Sequence, residues 1–343
     1  MLVSDFDYPL PRELIAQTPL AQRDRSRMMV VDRRSGSILH SSFKNFPRYL
    51  KEGDVLVVNA AKVIPARVWG RIGRDEIEFL FLEEKRSGVW EVLCKPARKV
   101  KLEETVLFAP GFEGKVIKVE GEGKRLLEFS SPDVLENLKK TGSAPLPPYI
   151  KRRKEQKELK KLDLERYQTV YAQKEGAIAA PTAGLHFTPE VLDRITKKGT
   201  VIVKISLDVG LATFKPVRVK RVEEHRMLEE TYSISPQAAA EIERAKKESR
   251  PVVAVGTTVV RALESAFEEV RIKSGTRSTD LFIYPGYEFR VVDRLLTNFH
   301  LPKSTLLMMV SAFSSLELIK KAYQEAVRKK YRFYSYGDCM LIL

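Results

Sequence analysis

The hydrophobic periodicity of this chain changes twice, and each change limits the folds open to it. Between residues 54 and 130, DVLVVN, KVIPARVWGRI, EIEFLFLEEK, GVWEVLCK, TVLFA, GKVIKVEG and KRLLEF follow one another as short β-type runs. Gly, Pro or charged residues separate them, with no helical stretch between. Short strands at this spacing predict a small barrel or a sandwich. Residues 132–142, PDVLENLKKTG, then read as a helix stopped by Gly142. After residue 170 strands and helices alternate: a helix from Pro189 with Gly199 past its end, 200–207 a strand, 235–249 a helix, 251–255 a buried strand, 257–270 a helix. That alternation predicts α/β architecture. At the start, PRELIAQ (11–17) suits a short helix, and residues 28–43 read as strand, turn at Ser35-Gly36, strand. No repeat of fixed period and no low-complexity segment is present.

With 343 residues the chain exceeds one ordinary domain, so two domains, or one with a large insertion, are expected. Its net charge of +15 points to a polyanionic partner, nucleic acid before a membrane surface. A charge-rich surface without a partner is the plainer explanation. Cys94 and Cys339 lie far apart and outside any CxxC pair, which argues against a disulfide scaffold or a zinc site. MLVSDFDYPLP has acids and prolines where a signal peptide has an apolar core, and TLLMMVSAF (305–313) is too short to span a bilayer. A reducing cytoplasm is the expected compartment.

Two basic segments admit two readings each. KRRKEQKELKK (151–161) holds seven bases and two acids after a proline-rich linker. It is either a solvated face or an arm that contacts phosphates through Lys151, Arg152, Arg153 and Lys154. RKKYRFYSY (328–336) interleaves Lys329 and Arg332 with aromatics. Either the aromatics stack on unpaired RNA bases, or Tyr331, Phe333 and Tyr334 belong to the core. A third basic cluster spans 215–221.

Three junctions share a composition of small and hydroxyl residues leading into a helix: APTAGLHFT (180–188), VGTTVVR (255–261) and TNFHLPKST (297–305). Helix N-termini present unpaired N–H groups, glycine lets a ligand approach the backbone, and such junctions gather at one edge of an α/β sheet. The structural alternative at each is plain capping, by Thr188, by Thr257 or Thr258, and by Ser304. Phe187 and Leu192 have the spacing of a hydrophobic staple around the Thr188 cap, with Pro189 at the first helical position. The histidines, His40, His186, His225 and His300, show no metal-ligand spacing, and no metal is expected. GEG at 121–123 precedes a strand-like run and lacks a third glycine, so it reads as a hairpin turn and not a dinucleotide fingerprint.

These motifs together resemble the S-adenosylmethionine:tRNA ribosyltransferase-isomerase family. The matching residues include 6–33, VIPAR (63–67), PLPPYI (145–150), RYQTVYA (166–172), AAPTAGLHFT (179–188), VGTT with RALES (255–265), DLFIYPGYEF (280–289), VDRLLTNFHLPKSTLLMMVSAF (292–313) and YRFYSYGDCMLI (331–342). The resemblance implies a mixed α/β main domain, residues 1–55 and 150–343, with a small β-barrel inserted over 56–149. It implies transfer and isomerisation of the ribosyl part of S-adenosylmethionine onto an aminomethyl-7-deazaguanine at the wobble position of tRNA with a GUN-type anticodon. Epoxyqueuosine-tRNA, adenine and methionine are the products. S-adenosylmethionine is then a consumed substrate, and no resident cofactor is implied. A monomer or weak oligomer without membrane contact is expected.

The chemistry needs a base for the ribose 5′ C–H beside the sulfonium, help for the departing adenine, and exclusion of water. His186, His300 and Asp208 are the candidate catalytic groups. Pro181, Thr182, Ala183, Gly184, Leu185, Gly256, Thr257, Thr258, Arg261, Thr297 and Asn298 are the candidate substrate contacts. The chain departs from the family pattern at SLDVGLATF (206–214), where Asp208 stands for a histidine and Ala212 for a glycine. It departs again at HRMLEE (225–230), with Leu228 for a histidine, and at NAAKVIPAR (59–67). A non-catalytic RNA-binding protein and an S-adenosylmethionine-dependent RNA methyltransferase are the competing readings.

Overall fold

The computed structural model describes every residue except Pro132, Lys154 and 211–216. Among the described residues the main body is a nine-stranded sheet. Its strands run in the order Gly275–Thr279, Glu230–Ile234, Val201–Leu207, Val55–Asn59, Val252–Val255, Arg294–Asn298, Cys339–Ile342, Arg27–Val31 and Ile38–Ser42. Val201–Leu207, Val55–Asn59, Val252–Val255 and Arg294–Asn298 pair in parallel. Their side chains alternate between two apolar clusters, Val55, Val57, Val252 and Ala254 on one face, Leu56, Val58, Val253 and Val255 on the other. A sheet covered on both faces explains why these strands read as unbroken apolar runs.

Seven helices are described: α1 Val134–Thr141, α2 Lys157–Arg166, α3 Pro189–Lys197, α4 Pro236–Lys247, α5 Thr257–Ala266, α6 Thr305–Phe313 and α7 Leu316–Arg328. Residues of α4, α5, α6 and α7 pack on the first face. The second is covered by Val191 and Ile195 of α3 with Phe43, Phe46 and Phe187. The sequence predicted α5 as far as residue 270, but it ends at Ala266, where Phe267–Glu268 and Arg271–Ile272 form a small hairpin. PRELIAQ supplies one tight turn, Arg12–Leu14, and no full helix.

A closed six-stranded barrel follows, built from Arg67–Ile72, Asp75–Arg86, Val89–Lys95, Thr105–Ala109, Phe112–Val119 and Lys124–Phe129. Ile77, Phe79 and Phe81 point inward at alternate positions and pack on Trp90, Phe112 and Phe129. The GEG sequence turns one antiparallel strand into the next, as a hairpin turn should. The expected insertion boundary at residue 56 is corrected by strand Val55–Asn59, which lies in the middle of the large sheet. A buried apolar strand looks the same in sequence whether a barrel or a parallel sheet receives it.

Asn59, fully buried, marks the point where the chain leaves the sheet. Its Nδ2 donates to Leu207 O at 2.9 Å, and its Oδ1 accepts from Leu207 N at 3.1 Å and from Ala61 N at 3.0 Å. The side chain thus completes the ladder while the backbone turns toward the barrel. Asn59→Leu strands these backbone groups, and an unpaired buried group costs about 1–3 kcal/mol. A loss of that size or more in the unfolding free energy, read by urea titration, is the expected result.

Candidate active site

The four parallel strands end at Leu207, Asn59, Val255 and Asn298, and these carboxyl ends share one edge of the sheet. A pocket opens there. Its walls bring together the three junctions singled out in the sequence: Ala180–Ala183, Gly256–Thr258, and Thr297 through Leu301 with Ser304. This edge is where ligands bind in open α/β sheets.

Each junction is shaped by its own local chemistry. Thr188 caps α3, its Oγ1 accepting from Val191 N at 3.2 Å, while Phe187 and Leu192 pack in the core beside it. Ser304 caps α6, accepting from Leu307 N at 3.2 Å. At α5 neither threonine caps. Gly256 holds that position at φ +93° with no side-chain cap, so the first N–H groups of α5 stay available at the pocket. Gly184 serves a different purpose from the one expected. A Cβ there would lie 2.1 Å from the Tyr171 hydroxyl oxygen and 2.8 Å from Thr169 Cγ2, so the close approach is by protein and not by ligand.

The candidate catalytic groups separate. His300 lines the pocket, with Nε2 2.8 Å from Thr297 Oγ1. Its backbone is gripped by two tyrosines, Tyr323 accepting from His300 N at 2.9 Å and Tyr8 donating to His300 O. Burial pulls its pKa down to about 3, so the ring is neutral at physiological pH. His186, in contrast, borders a separate small cleft with Arg23, Arg166 and Leu185. Its Nδ1 lies 2.7 Å from Ser26 Oγ. Asn298 Nδ2 donates to Tyr334 O at 2.9 Å, while Asn298 Oδ1 and His186 Nε2 are both buried without a hydrogen-bond partner. Burial, with Arg23 and Arg332 nearby, takes the pKa of His186 down to about 4. Asp208 sits half-buried at the end of Val201–Leu207, one residue before Val209 of the pocket wall. Burial raises its pKa, Lys174 opposing and Glu83 reinforcing.

Of the expected substrate contacts, Pro181, Thr182, Ala183, Gly256, Thr257, Thr258, Thr297 and Asn298 line the pocket. Gly184, Leu185 and Arg261 do not. Arg261 is buried in an ion pair with Glu230 and donates to Leu281 O at 3.1 Å and Thr279 O at 3.2 Å. Glu230 in turn accepts from Gly210 N at 3.1 Å, so the pair anchors the loop after Asp208. The sequence reading missed Tyr149, Tyr167, Tyr334 and Ser335, all in the pocket wall. Tyr149 closes the proline-rich return from the barrel, and an aromatic there was the available signal.

The basic candidates divide too. Lys151, Arg153 and Lys329 are exposed. Arg152 is not free: its Nε and Nη2 reach Asp163 at 2.6 and 2.9 Å, and Nη2 also donates to Gln17 O at 2.8 Å. Arg332 is half-buried and donates to Thr18 O. Lys154, Ala212 and residues 215–216 of the third cluster lie outside the described residues. Part of the basic arm is helical, as α2. Tyr331, Phe333 and Tyr334 are core residues, which removes the stacking reading of 328–336.

Fold and pocket together define an α/β protein with a pocket at the carboxyl edge of its sheet and a net positive charge. The chain belongs to the queuosine biosynthesis protein family, whose model matches residues 3–342. It is 49% identical over 346 residues to the S-adenosylmethionine:tRNA ribosyltransferase-isomerase of Carboxydothermus hydrogenoformans, covering all of both chains. It is 50% identical over 348 residues to that of Desulforamulus reducens, again over both full lengths. The crystal structure of S-adenosylmethionine tRNA ribosyltransferase from Thermotoga maritima is similar at 36% identity and a TM-score of 0.57, with 99% of this chain and 100% of that one covered.

Two outcomes are expected of this geometry. Gly184→Ala forces Tyr171 aside and destabilises the protein by about 1–3 kcal/mol, and adding Tyr171→Phe restores part of the loss in thermal melts. Because His186 and His300 have folded pKa values below the ordinary 6.5, the stability that these two neutral rings contribute is fully present above pH 6.5. It falls as the pH drops toward 4, where the unfolded chain takes up the protons. Urea titrations across this range should show the slope, and His186→Gln should flatten it.

Proposed function

We propose that the protein is an S-adenosylmethionine:tRNA ribosyltransferase-isomerase. It moves and isomerises the ribosyl part of S-adenosylmethionine onto the aminomethyl-7-deazaguanine at the wobble position of GUN-anticodon tRNA, yielding epoxyqueuosine-tRNA, adenine and methionine. The observation that carries this reading is the pocket. Among the described residues, none that lines it bears an ionised side chain, in a chain of net charge +15. The outer lysines and arginines attract tRNA, while a pocket free of them accepts a cationic nucleoside. A tRNA substrate puts the workplace in the cytoplasm.

The roles follow from protonation and position. A neutral imidazole of low basicity suits His300 to hold the purine by hydrogen bonding, since an effective base has a pKa near the working pH. Asp208, whose basicity burial increases, is the better group to take the ribose 5′ proton. His186, buried against Ser26 and outside the pocket, has a structural role. On the RNA side, Lys151, Arg153 and Lys329 offer exposed charges to phosphates.

The assay is incubation with S-adenosylmethionine and tRNA bearing the aminomethyl deazaguanine. Release of both adenine and methionine supports the reading, whereas S-adenosylhomocysteine in their place overturns it. Asp208→Asn should lower kcat by about 10²- to 10⁴-fold, the range for loss of a general base. His186→Gln should keep most of the turnover.

A further inference from the structure

A cation that enters this pocket leaves water and requires compensation. Among the described residues no carboxylate lines the walls. Two helix N-termini do: Gly256, Thr257 and Thr258 at α5, and Ser304 and Leu306 at α6. Their partial positive charge repels a cation and favours the anionic end of a ligand. Beyond Asp208, one residue outside the wall at Val209, compensation for a sulfonium therefore has to come from other groups of the wall.

The aromatic groups there are well fixed. The rings of Tyr149 and Tyr334, both in the wall, have centroids 4.7 Å apart at 43°. The Tyr149 hydroxyl lies 2.7 Å from Ser335 Oγ. Tyr334 is held at φ +69°, an unusual conformation for a residue with a side chain, by Asn298 Nδ2 on its carbonyl at 2.9 Å and by its own N–H on Phe299 O at 3.1 Å. Both hydroxyls stay protonated: burial pushes Tyr149 up to about 12 and Tyr334 higher still. These residues thus offer π faces and no negative charge, and a π face attracts a cation most when water is excluded.

Resting on the functional reading above, we propose that Tyr149 and Tyr334 hold the sulfonium of S-adenosylmethionine against their ring faces. This pair, together with the Asp208 carboxylate that takes the 5′ proton, sets the preference of the pocket for a sulfonium over a thioether. When the carbon–sulfur bond breaks, its electron pair goes to sulfur, which leaves in methionine as an uncharged thioether. The attraction ends with the reaction, which favours product release.

The test is calorimetric titration of the full-length protein with S-adenosylmethionine and with its thioether analogue S-adenosylhomocysteine. Wild type should bind the sulfonium more tightly. Tyr149→Leu and Tyr334→Leu should each weaken sulfonium binding by about 5- to 30-fold while the thioether changes less than about twofold. Tyr149→Phe, which keeps the ring, should retain the preference, and Tyr149→Trp should keep or increase it. Equal losses for both ligands in the leucine variants, or no loss, overturn the proposal. If a leucine variant fails to fold, as judged by melting, the phenylalanine and tryptophan variants decide, and loss of the preference in both overturns it. Wild-type binding of the sulfonium without the expected pattern sinks the tyrosine assignment alone, whereas binding of neither ligand sinks the functional reading with it.

Discussion

The structure depends on how the sheet keeps its hydrogen bonds where the chain departs for the barrel. Asn59 solves this with one amide, which pairs with both backbone groups of Leu207 and with Ala61 N. Its Nδ2 also lies 3.5 Å from Thr258 Oγ1, at the start of α5. The barrel departure, the end of Val201–Leu207 and the uncapped helix start are therefore tied at one buried point. A hydrogen-bonded amide in that position is strong because its alternative is unsatisfied burial.

From that point the charges sort themselves by depth. Arginines that enter the body are bound: Arg261 by Glu230, Arg152 by Asp163, Arg294 by Asp54. Among the described residues, the pocket is lined by neutral polar groups, aromatic rings and small or aliphatic side chains. Low basicity of His186 and His300 has the same origin, since burial without a facing carboxylate favours the neutral ring. One polarity rule thus accounts for a basic exterior and an uncharged site.

Much of this was legible in the chain. The barrel strands announced themselves by length and spacing, and the junctions by small residues before caps at Thr188 and Ser304. What was not legible depends on partners distant in sequence. Nothing local distinguishes Arg261, which neutralises Glu230, from an arginine that grips a ligand. Gly184 looked like room for a substrate, but Tyr171 occupies that room. His186 shares a motif with Pro181 and Thr182, yet a single tight turn, Thr182–His186, points it away from their pocket. Tyr149 joins Tyr334 only because the return from the barrel passes the sheet edge.

The position of strand Cys339–Ile342 has a consequence for synthesis. It lies between Arg294–Asn298 and Arg27–Val31, so the hairpin of Arg27–Val31 and Ile38–Ser42 has no seat in the sheet until that strand exists. Arg27 N, for instance, donates to Asp338 Oδ1 across a separation of 311 positions. Tyr334 and Ser335 of the pocket wall arrive with the same late segment. A ribosome-bound chain that has not yet emitted these residues carries the strands of its barrel and most of its sheet but no finished pocket.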